Sequence, residues 1–147
     1  MAERVGDSGA VRRILPRVLL AAYLICLAVV ALWPTPVDRD AGDVVSSIVS
    51  FVRSLGWSSF GYGHLEFAAN VALFIPFGVL VAVATGRAWV GALTGLALSS
   101  AIEIAQGILL PERTPSISDV VANTLGGVLG ALGLALVRAL WRQRPPR

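Results

Sequence analysis

The sequence predicts an all-α integral membrane protein, a four-helix bundle that forms a single domain of 147 residues. Hydrophobic residues make up 56% of the chain and charged residues only 14%, against about 25% in a typical globular protein. The mean hydropathy is +0.76. Four apolar runs have roughly the 20-residue length that crosses a bilayer. We place these spans at about residues 15–33, 65–84, 88–110 and 119–139. We expect residues 1–13 and 142–147 to be disordered.

The first apolar run, Val18 to Trp33, has two interpretations. A cleaved secretory signal peptide also contains an apolar run near the amino terminus. However, Trp33 and Pro34 follow one another directly, and this pair is typical of a helix that ends at the membrane interface. We therefore interpret the run as a retained span and keep cleavage as the alternative.

The longest connection, residues 34–63, contains a short amphipathic pattern. Apolar residues recur at helical spacing from Val44 to Leu55, whereas several serines and Arg53 fall on the opposite side. Gly56 is a suitable residue to end such a helix. We predict a short amphipathic helix on the membrane surface between the first and second spans.

The placement of arginine predicts the orientation of the spans. The amino terminus, the turn at Arg87 and the carboxyl-terminal tail together carry nine of the 12 basic residues, all of which are arginine. Positive residues concentrate in cytoplasmic segments, and an even number of spans puts both termini on one side. We expect a multi-pass protein of the cell membrane with both termini in the cytoplasm (N-in, C-in). This distribution does not indicate a nucleic-acid partner, despite an isoelectric point near 10.0.

Six polar or charged residues interrupt the spans, and the predicted topology places all six in the outer leaflet. A charge in the bilayer costs at least about 2.5 kcal/mol, so such residues usually have a partner or a role. Their spacing of three or four residues puts them on one face of each helix. They are Glu66, Asn70, Glu103, Gln106, Asp119 and Asn123.

These residues predict one polar cluster that opens to the outside, with Arg113 as the counter-ion for Glu103 or Asp119. Loop 111–118 and the surface helix would cover it. The alternative for the three amides is interhelical hydrogen bonding, and for Asp119 it is capping of the fourth span. Two glycine pairs that permit close helix contact are expected to pack together. These pairs are Gly91 with Gly95 and Gly126 with Gly130.

Three blocks of sequence resemble the VanZ-like family, small membrane proteins named for a teicoplanin-resistance accessory protein. The blocks are Asn70–Gly78, Ser100–Gln106, and Arg113 followed by Asp119–Gly130, and the resemblance covers about His64 to Val137. It implies an association with lowered susceptibility to glycopeptide antibiotics and brings no established catalytic mechanism. The family's loop is usually acidic before the aspartate, whereas this chain has Ser116 and Ser118 there. The implied motif positions are Asn70, Glu103, Gln106, Arg113, Asp119 and Asn123.

We interpret the chain as a non-enzymatic cell-envelope protein whose polar cluster binds an envelope lipid, a lipid-linked wall precursor or a glycopeptide-like ligand. One alternative is a membrane-embedded enzyme that acts on an envelope lipid or glycan through Glu103 and Asp119. The other is a structural packing partner in a membrane complex. A single histidine, His64, with scattered carboxylates gives little support for a metal. We expect no cofactor and no metal, membrane lipids as partners, and leave a homo-oligomer open.

Overall fold

The structure is a computed structural model that describes residues 7–33, 42–110 and 114–143. Within these ranges the chain is helical, with turns between the helices and no strand. Four of the helices are long and apolar enough to cross a membrane, which confirms the predicted four-helix membrane bundle. The helices are α1 (Asp7–Ala31), α2 (Gly42–Ser54), α3 (Tyr62–Thr85), α4 (Ala88–Leu109) and α5 (Ile117–Arg142).

The ends of two helices correct the predicted boundaries. Helix α1 begins at Asp7, so the expected disorder of residues 7–13 is wrong. Helix α5 continues to Arg142, beyond the predicted end of the fourth span at 139. Both extensions contain arginine, which is a strong helix former, and neither contains a proline. Residues 1–6 and 144–147, also predicted to be disordered, lie outside the described residues.

Helix α2 has the predicted amphipathic pattern. None of its residues is buried, and two of its apolar side chains, Val44 and Phe51, are more than 60% exposed. Gly56 follows the helix with a φ of +104°, a left-handed conformation that glycine adopts without strain. The Arg53 Nε donates to the Phe60 carbonyl at 2.7 Å, and Phe60 stacks on His64 in the first turn of α3. The exposed apolar face suits the predicted membrane surface.

Helix α5 lies between α3 and α4 and makes the most extensive contacts in the bundle. Towards α3 it presents Gly126 and Gly130. A Cβ at Gly130 would overlap the Ile75 carbonyl oxygen, and a Cβ at Gly126 would overlap that of Val71. The two helices therefore approach until their backbones are in contact, which requires glycine at both positions.

Towards α4, helix α5 presents Gly127 and Ala131 instead. A Cβ at Gly95 would lie 3.7 Å from the Gly127 Cα, and one at Gly91 would lie 3.1 Å from the Ala131 Cβ. The expected pairing of Gly91 and Gly95 with Gly126 and Gly130 is therefore wrong. The reason is that adjacent positions on α5 point about 100° apart, so neighbouring small residues face different helices.

Helix α1 packs mainly against α3. Leu27 is only 2% exposed and belongs to a core cluster with Phe74, Phe77 and Val81. The Tyr23 hydroxyl donates to the Leu73 carbonyl at 2.6 Å. This bond lies beside the point where Pro76, which has no N–H, interrupts the hydrogen bonding of α3. These contacts favour the retained-span interpretation of the first apolar run, which stays a prediction.

Candidate functional site

Buried polar side chains are concentrated on the facing sides of α4 and α5. Helix α4 contributes three of them at spacings of four and three residues, which places them on one face. Helix α5 contributes the fourth. In the described part of the chain these four are the buried polar or charged residues, and none is more than 7% exposed. We call them the buried polar column: Ser99, Glu103, Gln106 and Asn123.

Glu103 binds the start of the neighbouring helix. The Ser116 backbone N–H donates to the Glu103 Oε2 at 2.6 Å. Ser116 is the N-cap of α5, and its own hydroxyl oxygen accepts from the Asp119 N–H at 3.3 Å. In a capping box, the residue three positions after the N-cap binds the N-cap N–H, but here a carboxylate of α4 does so. Glu103 therefore joins α4 to α5 and places negative charge at a helix start, which is favourable.

The cap of α5 differs from the predicted alternative in which Asp119 was the N-cap. Asp119 is the third residue of the helix and Ser116 takes the capping position. Pro115, which directly precedes the cap, packs against the last turn of α4. A Cβ at Gly107 would lie only 2.7 Å from the Pro115 Cγ, so the proline fits against α4 because Gly107 has no side chain. Arg113, the predicted counter-ion, lies outside the described residues.

Asn123 joins α5 to α4 one level deeper in the bundle. Its Nδ2 donates to the Ser99 Oγ at 2.9 Å. Its Oδ1 is buried and has no hydrogen-bond partner among the described residues. An unpaired acceptor of this kind costs about 1–3 kcal/mol, so natural proteins rarely leave one without a reason.

We expect Ser99→Ala to destabilise the protein by about 1 kcal/mol, because it also leaves the Asn123 Nδ2 unpaired. Adding Asn123→Leu, which replaces the amide with an apolar group of similar size, should recover part of this loss. Unfolding free energies of the two single variants and the double variant in mixed detergent micelles form the test. Strictly additive losses would show that the hydrogen bond between Ser99 and Asn123 contributes nothing.

Gln106 contacts α1 instead of α5. Its Nε2 donates to the Ala31 carbonyl at 2.8 Å. Ala31 is the last residue of α1, where carbonyl groups lack a helical donor. Gln106 therefore satisfies the end of one helix from another, as the interhelical alternative for the amides describes.

The other predicted site residues within the described ranges are not part of the buried polar column. Asp119 and Asn70 are half-buried, and their side chains make no hydrogen bond to the described residues. Glu66 is exposed, and the Tyr62 hydroxyl lies 3.5 Å from its Oε1. No hydrogen bond within the described ranges joins Asn70 to the column. No three His, Cys, Asp or Glu side chains in those ranges lie close enough to bind a metal ion.

Two serines of the site were not among the predicted residues. Ser99 lies four residues before Glu103 and therefore on the same face of α4, which was a usable signal. Ser116 precedes Asp119 by three residues, the spacing of a serine N-cap and an acidic third residue. Serine is common in membrane helices, however, and neither position stands out by charge as Glu103 does.

Comparison with known proteins places the chain in a family. Residues 20–138 match the family model described as VanZ/LLP1. The chain belongs to the VanZ-like family. It is 36% identical over 124 residues to Protein VanZ of Enterococcus faecium, a match that covers 80% of this chain and 72% of that protein. No solved structure matches the chain.

The matched range begins within α1, so the VanZ-like relationship extends well before the motifs at His64–Val137. It contains the whole buried polar column and the cap of α5. With its four apolar helices, this chain is a VanZ-like membrane protein of the cell envelope.

Proposed function

We propose that this VanZ-like protein is a multi-pass, non-enzymatic protein of the cell membrane that binds a lipid-linked wall precursor. The observation that carries the proposal is the buried Asn123 Oδ1, which lacks a donor within the described residues. Asp119 lies one turn away on the same face of α5, and its half-buried carboxylate is likewise free of hydrogen bonds there. The site therefore offers oxygen acceptors without donors to match.

The chemistry of these acceptors defines the ligand. Hydroxyl and amide groups donate hydrogen bonds, and sugars and peptides carry many of them. A carboxylate is the stronger acceptor because bonds to a charged group are stronger than bonds between neutral groups. Asn70 of α3, half-buried, would add a further donor and acceptor near the same end of the bundle.

The location of the acceptors favours a ligand anchored in the membrane. Asn123 is only 5% exposed and its Oδ1 is buried, so a ligand group would reach this atom only where the helices separate locally, which suits one small polar group better than a large rigid glycopeptide. The headgroup of a lipid-linked precursor would approach from the bilayer, between the helices. Glu103 is a positioning residue in this proposal, because it holds the start of α5 that carries Asp119.

Binding to the purified full chain in lipid nanodiscs tests the proposal, with a lipid-linked disaccharide-pentapeptide as the probe. We expect Asp119→Asn to weaken binding about tenfold, because loss of one bond to a charged group costs about 1.5–3 kcal/mol. The matched control is Asp43→Asn, the same chemical change on the exposed surface of α2. The control should bind as the wild type does.

Three outcomes would contradict the proposal. If Asp119→Asn changes only the amount of folded protein and leaves its affinity for the precursor unaltered, the role is structural. If teicoplanin binds and the precursor does not, the ligand is the antibiotic. If the precursor is converted to a product that mass spectrometry detects, the protein is an enzyme.

A further inference from the structure

A cavity lies at the end of the bundle opposite the buried polar column. Its volume is about 220 Å³, and it is partly open to the surroundings. It is formed where the turn between α3 and α4, at Gly86, meets the last turns of α5. Alanines such as Ala82 and Ala131, each 2% exposed, form part of its wall. These small side chains are the reason that a space remains between three closely packed helices.

Two arginines of α5 line this cavity. Arg138 and Arg142 are four residues apart, so they lie on the same face of the helix one above the other. Both are exposed, and neither forms an ion pair within the described residues. No Asp or Glu is among the residues that line the cavity. Two positive charges thus converge on a space that contains no compensating negative charge.

The backbone of α4 adds to this positive potential. Ala88, the first residue of α4, also lines the cavity, and no side chain caps this helix start. The free N–H groups of a first helical turn favour an anion beside them. Two guanidinium groups, each a planar fork of N–H donors, match the oxygen atoms of a phosphate group.

The surroundings of the cavity place it at the depth of lipid headgroups. Trp89 in the first turn of α4 and Trp141 in the last turn of α5 are 60% and 66% exposed. Tryptophan is enriched at the interface between membrane and water, and basic pockets between membrane helices hold anionic headgroups. We propose that this cavity binds the phosphate group of an anionic phospholipid and that the side chains of Arg138 and Arg142 donate hydrogen bonds to this phosphate.

Native mass spectrometry of the purified full chain tests this proposal, with phosphatidylglycerol as the probe and phosphatidylcholine as the neutral reference. The double variant Arg138→Gln with Arg142→Gln should bind phosphatidylglycerol about tenfold more weakly or worse, because each arginine near an anionic headgroup attracts it. The matched control is Arg17→Gln with Arg53→Gln, which removes the same charge from exposed positions outside the cavity. The control should stay within about twofold of the wild type.

A second variant tests whether the space of the cavity is needed, without changing its charge. Ala135→Phe places a large side chain in the cavity and keeps both arginines. We expect it to lose phosphatidylglycerol as the double arginine variant does. Unchanged binding by Ala135→Phe, or an equal loss in the Arg17 and Arg53 control, would overturn the proposal in favour of unspecific surface charge. Displacement of the lipid by inorganic phosphate would show that a free anion is the ligand and would also overturn it.

Discussion

Replacing Gly130 with alanine is expected to destabilise the bundle by about 2–3 kcal/mol, at the upper end of the usual cost of overpacking. The new Cβ would overlap the Ile75 carbonyl oxygen and lie 3.1 Å from the Val79 backbone nitrogen. Backbone atoms cannot turn away as the end of a long side chain can. Helices α3 and α5 must therefore move apart along their closest contact. Unfolding in mixed detergent micelles, followed by circular dichroism, measures the loss.

Gly133 provides the matched control for this variant. It lies on the same helix less than one turn later, and a Cβ there would have no atom within 4 Å. Gly133→Ala should be neutral or stabilising by up to about 1 kcal/mol, because alanine has the higher helix propensity. Equal stabilities of the two alanine variants would show that close contact between α3 and α5 does not limit the fold.

Replacing Glu103 with alanine is expected to cost about 2 kcal/mol, because a hydrogen bond to a charged group is lost and the Ser116 N–H is left unpaired. Glu103→Gln keeps an oxygen acceptor at nearly the same place and should cost less than half as much. Hydrogen exchange gives a local readout of the same change. Amides at the start of α5, from Ser116 to Asp119, should exchange faster in the alanine variant, and those near Arg142 should not.

Glu66→Ala is the control for the Glu103 variants, because Glu66 is exposed on α3. An exposed substitution of this kind typically changes stability by less than about 0.5 kcal/mol. If Glu103→Ala is as stable as Glu66→Ala, the carboxylate does not hold the start of α5. The positioning role assigned to Glu103 in ligand binding would then also fail.

The architecture was largely predictable from the sequence, because hydrophobic runs of membrane-spanning length report directly on burial in lipid. The ends of α1 and α5 were harder to predict. Charged residues beyond the apolar run were interpreted as disordered tails, although arginine continues a helix as well as leucine does. The chain from Arg138 to Arg142 shows this, since the helix extends past the apolar run that predicted it.

The site was predictable only in part. Glu103, Gln106 and Asn123 were identified because a carboxylate or amide within an apolar run must find a partner. Their partners were not identified, since Ser99, Ser116 and the Ala31 carbonyl become partners only through tertiary contacts. Spacing along a helix gives the depth of a residue but not the neighbour it faces. The shared depth of Asn70 with the column therefore did not predict a hydrogen bond between them among the described residues.

The contacts of α1 set an order for biogenesis. Tyr23 pairs with Leu73, a residue 50 positions later, and Leu27 packs with Phe77. Both partners lie 50 positions later in the chain, so α1 is synthesised before the residues that it packs against. Its membrane-spanning part, Ile14–Ala31, is predominantly apolar and is therefore stable in contact with lipid. Helix α3, the main partner of α1, is made before α4 and α5, so the contact between α1 and α3 can form before the close contacts of α5 with α3 and α4.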